Sequence, residues 1–405
     1  MRRSLAVITA AVLALGLSAC GGSDDGAKGP STDKKEKLGG EITIWGDETR
    51  GDIVKALGEK FEADYGTKVN FVQKSNEDLI PEYTKQVNSK SGPDIVINAH
   101  DKLGELIKNG VVSPVDIAAV KDKFVPSAVQ AVTYDGQTYG VPYAIESVAL
   151  FRNDDLTKAE PKTWDEMVAA GKESGAQYPF IIQQGPEQGD PYHMYPFQTS
   201  FGAPVFKSDD NGYTAELAMN GEEGVKFAEW LHANADILNP NIDGDKAKEE
   251  FQNGNAAFTV TGPWNIEDFK KAKINFSVLP VPSAGGKDAL PFVGVQTFFL
   301  SPESKNKIVA TKFLNEFVAS EEGQKILYDV GHRLPAMKSV ADSIDDPVSK
   351  SFSEVAGSGM PMPAIPEMGA VWEFWGSTEA NIISGKQTPA EGWKTMNENI
   401  EKKIK

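Results

Sequence analysis

The sequence predicts an α/β fold with a sheet that is at least partly parallel. Strand-length apolar runs alternate with segments of helical periodicity, beginning with "EITIWG" at 41–46, "GDIVKALGEKFEADYG" at 51–66 and "KVNFVQ" at 68–73. Several of the apolar runs end in polar or aromatic side chains, which is typical of ligand sites beyond the strand ends of open α/β sheets.

The same alternation continues along the chain. A capping box at Thr163-Trp164-Asp165-Glu166 predicts the start of a helix. Further strands are predicted at 93–100, 139–146, 148–153, 256–262 and 274–280. Further helices are predicted at 222–235, 246–254, 306–319, 320–330, 370–385 and 389–404, so the C-terminal third is mostly helical.

Residues 1–19 are predicted to be a signal peptide, because Arg2 and Arg3 precede an apolar stretch from Leu5 to Leu17. That stretch is shorter than the roughly 20 residues that cross a bilayer. Its Leu-Ser-Ala-Cys ending resembles the bacterial lipobox, which implies cleavage before Cys20 and lipid on its sulfur. The alternative is an ordinary signal peptide with an incidental cysteine.

Residues 20–38 are predicted to be the lipidated cysteine and a flexible tether, since the segment is rich in Gly, Ser, Asp and Lys. A lipid followed by a tether predicts a protein anchored on the extracellular face of the cell membrane.

Composition bounds the class of protein. The 405 residues are enough for two or three compact domains, and the hydrophobic content of 40% fits a globular chain. Cys20 is the only cysteine, so the exported part has no internal disulfide and no catalytic thiol. Its stability must come from core burial.

Charge and motifs exclude several function classes. The formal net charge is −17, and removal of Arg2 and Arg3 with the signal makes the mature chain more acidic, so nucleic acid is not a predicted partner. The four histidines are far apart, no H-E-x-x-H motif occurs and no phosphate-binding G-x-x-x-x-G-K-[ST] loop occurs. We therefore predict no metal, no cofactor and no ATP hydrolysis by this chain.

Four predicted strands end in groups that can bind a ligand. Because the loops at the carboxyl ends of strands present free hydrogen-bonding groups, these tips predict one shared cleft. The tips hold Asp47 and Glu48; Asn98, His100, Asp101 and Lys102; Tyr143 and Glu146; and Trp264.

Each tip residue also has a structural interpretation. Asp101 either holds a ligand or caps the helix that follows it. Lys102 by itself fits a solvated surface, and His100 fits a structural hydrogen bond. For Glu146 we favour a functional role, because it interrupts an apolar run and burial of an unpaired carboxylate is costly in free energy.

Aromatic residues cluster in two segments, "VWEFW" at 371–375 and "DPYHMYPF" at 190–197. Trp372 and Trp375 are three residues apart, so they share a helix face; the alternative is that Trp375 fills the core. Aromatic faces beside short carboxylates and amides suit a sugar, whose C–H faces lie on rings while its hydroxyls need paired donors and acceptors.

Eight motifs in register resemble one family. They are "EITIWG", "KFEADYGTKV", "GPDIVINAHDKLGELIKNGVV", "YDGQTYGVPYAIESVALFRNDDL", "PKTWDEM", "NGNAAFTVTGPW", "PFVGVQ" and "MPAIPEMGAVWEFW". Together they resemble the maltose/maltodextrin-binding proteins of bacterial ABC importers, over nearly the whole chain after Leu38.

The resemblance implies a two-lobed, periplasmic-binding-protein-like α/β fold with a helical C-terminal segment. Its hinge is crossed three times, near 144–147, 292–298 and 342–347. It implies an N-terminal lobe of 39–145 plus 297–345 and a C-terminal lobe of 146–296 plus 346–405.

The resemblance also implies site residues, and departures from the family pattern add others. The residues that match the sugar-contacting positions of the family motifs are Asp101, Lys102, Glu146, Asp190, Tyr192, Trp264 and Trp372. Asn98 and Glu373 stand where the family carries a tryptophan and a tyrosine, and Gly376 replaces an arginine, so stacking is reduced or moved to Trp375. A loop shorter by one residue makes Asp47, Glu48 and Arg50 candidates for polar contacts.

The implied function is a non-enzymatic, monomeric binding protein that captures maltose or maltodextrin between two closing lobes and delivers it to the membrane permease of an ABC importer. One alternative keeps the binding role and changes the ligand to another oligosaccharide, such as trehalose or a cyclodextrin. The other is an exported glycosidase that uses Glu146 with Asp101 or Asp190 as its carboxylate pair.

Overall fold

The computed structural model describes residues 37–185, 187–209 and 212–405. The predicted signal peptide, the lipidated Cys20 and the tether up to residue 36 lie outside the described residues. Lys37 and Leu38, the last two residues of the predicted tether, form hydrogen bonds with the folded chain. The Lys37 ammonium donates to the Ala63 carbonyl at 2.7 Å, and the Leu38 N–H donates to the Tyr65 carbonyl at 2.7 Å.

The architecture is α/β, as predicted. The strands are β1 (Glu41–Gly46), β2 (Lys68–Gln73), β3 (Ile95–Ala99), β4 (Thr133–Tyr134), β5 (Gln137–Thr138), β6 (Gly140–Glu146), β7 (Ala149–Asn153), β8 (Phe206–Asp209), β9 (Gly212–Leu217), β10 (Phe258–Thr261), β11 (Phe276–Leu279), β12 (Phe292–Leu300), β13 (Leu334–Pro335) and β14 (Met360–Pro361). The helices are α1 (Gly51–Tyr65), α2 (Asn76–Asn88), α3 (Leu103–Lys108), α4 (Pro126–Ala131), α5 (Trp164–Glu173), α6 (Pro191–Phe201), α7 (Glu222–Ala233), α8 (Ala235–Leu238), α9 (Gly244–Gln252), α10 (Ile266–Lys271), α11 (Lys307–Lys312), α12 (Glu321–Gly331), α13 (Lys338–Asp342), α14 (Pro347–Ser358), α15 (Met368–Ile383) and α16 (Pro389–Ile404). In the part of the chain that the structure describes, no helix is long and apolar enough to cross a membrane.

The structure differs from the sequence-based prediction in a few elements. The nine-residue strand β12 and the hairpins β4–β5 and β8–β9 were not predicted, and the helix predicted at 306–319 is α11 followed by a π-helical segment at Phe313–Val318. A π-helical segment of six residues is too short for its own period to show in the apolar pattern, so periodicity alone does not separate it from an α-helix.

Among the described residues, the larger sheet has seven strands in the order β13-β6-β12-β3-β1-β2, with β14 paired to β12. Strands β1, β2 and β3 are parallel, whereas β12 is antiparallel to β3 and to β6, and β13 is antiparallel to β6. The carboxyl ends of β1, β3 and β6 therefore share one edge with the amino ends of β12 and β13.

Both faces of this sheet are covered. Ile95 and Ile97 of β3 pack in one apolar cluster with Phe61 of α1, while Val96 between them packs in a second cluster with Tyr83 of α2. Because side chains alternate across a strand, consecutive positions that are buried by helices on both sides, such as Ile95–Ile97, favour apolar residues. This explains the unbroken apolar run of β3.

The smaller sheet has the order β10-β7-β11, and both pairings are antiparallel. Leu150 of β7 packs in a cluster with residues of α6, α7, α15 and α16, whereas Phe151 packs on the other face with residues of α9, α10 and α14. We call the part built on the larger sheet the first lobe and the part built on the smaller sheet the second lobe.

The chain passes between these cores at three places. Ser147 and Val148 join β6 of the larger sheet to β7 of the smaller one, and residues 343–346 join α13 to α14. The third place is β12 itself, where Phe292 packs in a second-lobe cluster and Phe298 in a first-lobe cluster. The lobe boundaries given above stay a prediction.

We expect Phe151→Ala to lower the free energy of unfolding by about 3–5 kcal/mol. Phe151 is fully buried, and its ring lies 5.5 Å from the rings of Phe269, Phe276 and Phe352. Urea unfolding followed by far-ultraviolet circular dichroism measures the change. Ile308→Ala is the control, because Ile308 is 84% exposed and its loss should change stability by less than about 0.5 kcal/mol. Equal effects of the two substitutions would contradict the packing described here.

Candidate ligand-binding cleft

A cavity of about 710 Å³ lies where the polar edge of the larger sheet faces the second lobe. It is lined from both sides: by the loops after β1 and β3 and the last residue of β6, and by residues near the starts of α6 and α9 and after β10. Eleven of the thirteen predicted ligand-binding residues line it: Asp47, Glu48, Arg50, Asn98, Asp101, Lys102, Glu146, Asp190, Tyr192, Trp264 and Trp372.

The other two predicted residues lie elsewhere. Trp375 is fully buried in the second-lobe core, where its indole N–H donates to the Gln198 side-chain oxygen at 3.2 Å. Its ring lies behind that of Trp372, with the centroids 5.5 Å apart. Glu373 is exposed and forms an ion pair with Lys403 of α16. Successive residues of a helix are about 100° apart, so Glu373 faces away from the cleft that Trp372 faces.

The turn after β1 forms part of the cleft floor. The Arg50 guanidinium donates to the Asp47 carboxylate at 2.9 Å and to the Tyr143 hydroxyl at 2.8 Å. The Thr49 hydroxyl donates to the other Asp47 oxygen at 2.6 Å. Burial alone would raise the pKa of Asp47, but the Arg50 charge and the hydrogen bonds from Thr49 outweigh burial and hold this pKa below its ordinary value.

Glu146, at the end of β6, is held from three sides. One carboxylate oxygen forms an ion pair with Arg333 and lies 3.6 Å from an Arg50 nitrogen, and the other oxygen accepts from the Gln296 amide at 2.7 Å. The Glu146 side chain is only 5% exposed, and the interactions with these partners offset the free-energy cost of burying its charge.

The polar edge also contains residues that were not predicted. Gln296 is the central residue of β12 and pairs with Ala99 at the end of β3, and Arg333 directly precedes β13. The rule that ligands lie at carboxyl ends holds for parallel strands, whereas antiparallel strands bring their amino ends to the same edge. Recognising β12 and β13 as antiparallel would have found both residues. The cavity is also lined by Thr49, Asn76, Ala99, Gln183, His193, Asp243, Gly244, Asp245, Lys248, Asn265, Gly294 and Met362.

Asp101 connects the two lobes. Its carboxylate accepts from the Trp372 indole N–H at 3.0 Å and lies 3.1 Å from the Lys102 ammonium, which is 5.3 Å from the centre of the Trp372 ring. No side-chain cap is present at the start of α3, so Asp101 does not act as the helix cap that was the alternative interpretation.

His100 has the structural role that the sequence favoured. It is 2% exposed, its Nδ1 accepts from the Val295 N–H at 3.0 Å, and its Nε2 lies 3.1 Å from the Met362 carbonyl. Burial lowers the pKa of His100, which favours the neutral ring that this pair of contacts requires.

Asp190 caps α6 on the second-lobe wall. Its carboxylate accepts from the His193 N–H at 3.0 Å and from the Gln183 amide. Burial acts to raise the pKa of Asp190, but the neighbouring His193 and these hydrogen bonds hold it below its ordinary value. Asp190 is therefore a carboxylate held in place by hydrogen bonds at the N-terminus of α6, beside Tyr192.

Aromatic rings form a wall opposite the polar edge. The buried Phe292 ring lies 6.3 Å from the Tyr192 ring and 6.2 Å from the Trp372 ring, measured between centroids. The Trp264 ring lies 6.3 Å from Tyr192 and rests against Gly262, where a Cβ atom would come within 2.1 Å of the indole. A side chain at position 262 would therefore push Trp264 out of this wall.

Carboxylates, amides and guanidinium groups on one side and half-buried aromatic faces on the other suit a polar ligand with both hydroxyl groups and C–H faces. Within the described residues, no group of three or more His, Cys, Asp or Glu side chains is arranged to hold a metal ion. The fold and the cleft define the class of two-lobed ligand-binding proteins.

The chain belongs to the bacterial extracellular solute-binding protein family, whose profile matches residues 56–353. It is 28% identical to the galactooligosaccharide-binding protein of Bacillus subtilis, over 98% of this chain and 96% of that protein. It is 29% identical to the maltooligosaccharide ABC transporter solute-binding lipoprotein of Streptococcus pneumoniae, over 95% of this chain and 93% of that protein.

Among solved structures, the Thermus thermophilus maltotriose-binding protein bound with maltotriose is similar, with a TM-score of 0.83 and 31% identity, over 90% of this chain and 100% of that one. These similarities confirm the resemblance and the two-lobed α/β fold that the sequence predicted.

We expect Glu379→Gln to raise the free energy of unfolding at pH 8. Glu379 of α15 is fully buried; burial, and secondarily the Asp190 charge, raise its pKa well above the ordinary value of 4.5. The folded chain thus prefers a neutral group here, so ionisation of the unfolded chain costs stability as pH rises above about 4.5.

Urea unfolding at pH 4 and at pH 8 tests this expectation. The variant and the wild type should have similar stability at pH 4, and the advantage of the variant should grow as pH rises. An advantage of equal size at both pH values would show that the effect is not due to ionisation of Glu379.

Proposed function

We propose that this chain is an extracellular lipoprotein that captures maltose or a maltodextrin between its two lobes and delivers it to the permease of an ABC importer. One observation carries the proposal: polar strand tips of the first lobe and aromatic faces of the second lobe line a single cavity of about 710 Å³. That volume is within the range of small-molecule sites, about 300–1,000 Å³.

The sugar lies with its C–H faces on Tyr192, Trp264 and Trp372, while its hydroxyls pair with Asp101, Glu146 and Asp190. The other predicted contacts that line the cavity, Asp47, Glu48, Arg50, Asn98 and Lys102, complete the polar side of this site. Charge-assisted hydrogen bonds are the stronger ones, so the carboxylates supply orientation as well as affinity.

The affinity follows from the size of the ligand. At roughly 0.3 kcal/mol per heavy atom, a disaccharide of about 23 heavy atoms gains about 7 kcal/mol, which corresponds to a dissociation constant near micromolar. Because the sugar bridges both lobes, its binding free energy favours the closed arrangement over the open one.

Lipid on Cys20 and the tether that follows hold the monomeric protein at the extracellular face of the cell membrane, within reach of the permease. The pneumococcal relative is named as the solute-binding lipoprotein of an ABC transporter, which supports this placement.

Calorimetric titration of the mature chain tests the proposed ligand. Maltose, maltotriose, trehalose, a cyclodextrin and a galactooligosaccharide are compared, the last because the Bacillus subtilis relative is named for it. We expect the tightest binding with maltotriose or maltose. If only the galactooligosaccharide bound, the proposed ligand would change from an α-glucan to a galactoside. If none of the five sugars gave binding heat, the proposal would be overturned.

Trp372→Ala should weaken maltotriose binding about tenfold, since lost stacking at about 0.5–1.5 kcal/mol is accompanied by the loss of its hydrogen bond to Asp101. Trp230→Ala is the matched control: Trp230 is also half-buried, but it packs on Trp164, Phe197 and Phe227 within the second lobe. The control should lower stability and leave affinity within about twofold. Equal losses of affinity would remove Trp372 from the site.

The second candidate function is a glycosidase that uses Glu146 with Asp101 or Asp190. A glycosidase needs one carboxylic acid with a raised pKa, whereas the pKa of Asp190 is lowered and Glu146 is paired with Arg333. We therefore propose a chain without hydrolytic activity. Prolonged incubation with a maltodextrin should release no glucose. Glucose release by the wild type that is lost in the Glu146→Gln variant would show that the chain is a glycosidase instead.

A further inference from the structure

Arg333 occupies a position in the cleft floor that no motif indicated. It directly precedes β13, whose Leu334 pairs with Ile145 of β6, so the backbone delivers Arg333 beside the end of β6. Its side chain is 5% exposed and lines the cavity. The guanidinium forms an ion pair with Glu146 and donates to the Thr49 hydroxyl at 3.0 Å.

We propose that Arg333 is a positioning residue for sugar binding: its guanidinium fork holds the Glu146 carboxylate and the turn at 47–50 in one fixed arrangement. This role rests on the proposed function, because it concerns the orientation of groups that bind the sugar.

The geometry favours positioning because one side chain joins separate segments that all end at the cleft. Thr49, which accepts from Arg333, donates to Asp47, and Asp47 in turn accepts from Arg50. The fixed fork of arginine reaches two acceptors at once, which a lysine ammonium on a flexible stem does not do with the same geometry.

The charges of the floor balance around Arg333. Asp47 and Glu146 are the anions, Arg50 and Arg333 are the cations, and the four side chains are 5–9% exposed. Removal of one cation leaves an uncompensated anion in a buried network, which is far more costly than loss of a surface pair. Arg333 is also among the charges that lower the pKa of Asp47.

Arg152 is a second buried arginine, and its contacts lie away from the cleft. It pairs with Asp154 at 2.7 Å and donates to the carbonyls of Lys158 and Ala159 at 3.0 Å, all within the second lobe. None of these partners lines the cavity. Arg152 thus provides a matched control for the loss of a buried guanidinium.

The test compares Arg333→Gln, Arg333→Lys and Arg152→Gln in the mature chain by calorimetric titration with maltotriose and by thermal unfolding. Arg333→Gln should weaken binding tenfold or more, and Arg333→Lys should recover part of that loss, because it restores the charge without the fork. Arg152→Gln should lower the melting temperature and keep affinity within about twofold. Recovery by lysine separates positioning from general destabilisation, which would weaken binding in both glutamine variants.

Thr49→Val gives an independent measurement if Arg333→Gln does not fold. It removes the acceptor of Arg333 and one donor to Asp47 without removing a charge, and it should weaken maltotriose binding several-fold. Affinity within twofold of the wild type, in Arg333→Gln or in Thr49→Val, would overturn the positioning role while the wild-type titration still supports sugar binding. Failure of the wild type to bind any of the five sugars would overturn the proposed function and the role of Arg333 with it.

Discussion

The centre of the larger sheet, at Ile95–Ile97 of β3, is apolar on both faces, and the location of the cleft depends on this constraint. Every residue from Ile95 to Ile97 is fully buried between layers of helices, so a polar side chain at any of these positions would lose its water. Polar groups such as Asn98 and Glu146 lie in the last residues of these strands, and others lie beyond the strand ends. Since the carboxyl ends of β1, β3 and β6 lie at one edge, the groups excluded from the sheet are collected there, opposite the second lobe.

Collecting charges at a buried edge creates an electrostatic cost, and the structure offsets it by pairing. Asp47 with Arg50 and Glu146 with Arg333 form a network without net charge, tied further by Thr49 and Gln296. Such a network holds its hydrogen-bonding groups in fixed positions, and little reorganisation is needed when a ligand replaces water. The same pairing leaves a neutral, hydroxyl-rich ligand better suited to this floor than a charged one.

The second lobe contributes shape. Helix α15 buries Trp375 in its core and presents Trp372 at the cleft, so one indole supports the other at 5.5 Å. Phe292 at the start of β12 lies between Trp372 and Tyr192, which links the aromatic wall to a strand that continues into the first lobe. A change in the angle between the lobes would therefore move the aromatic wall relative to the polar edge.

The sequence by itself determined the α/β class, most strands and helices, and the polar tips at Asp47, Asp101 and Glu146, because these follow from periodicity and from where apolar runs end. It also indicated Trp372 and Tyr192 as candidates for stacking. Only the tertiary structure decided that Trp375 and Glu373 lie outside the cleft, since the face a helical residue presents depends on what packs against that helix. It also brought in Gln296 and Arg333, whose approach to Glu146 depends on antiparallel pairing between segments more than 140 residues apart in the chain. Local sequence carries no record of such pairing, because the partners are chosen by the packing of the whole sheet.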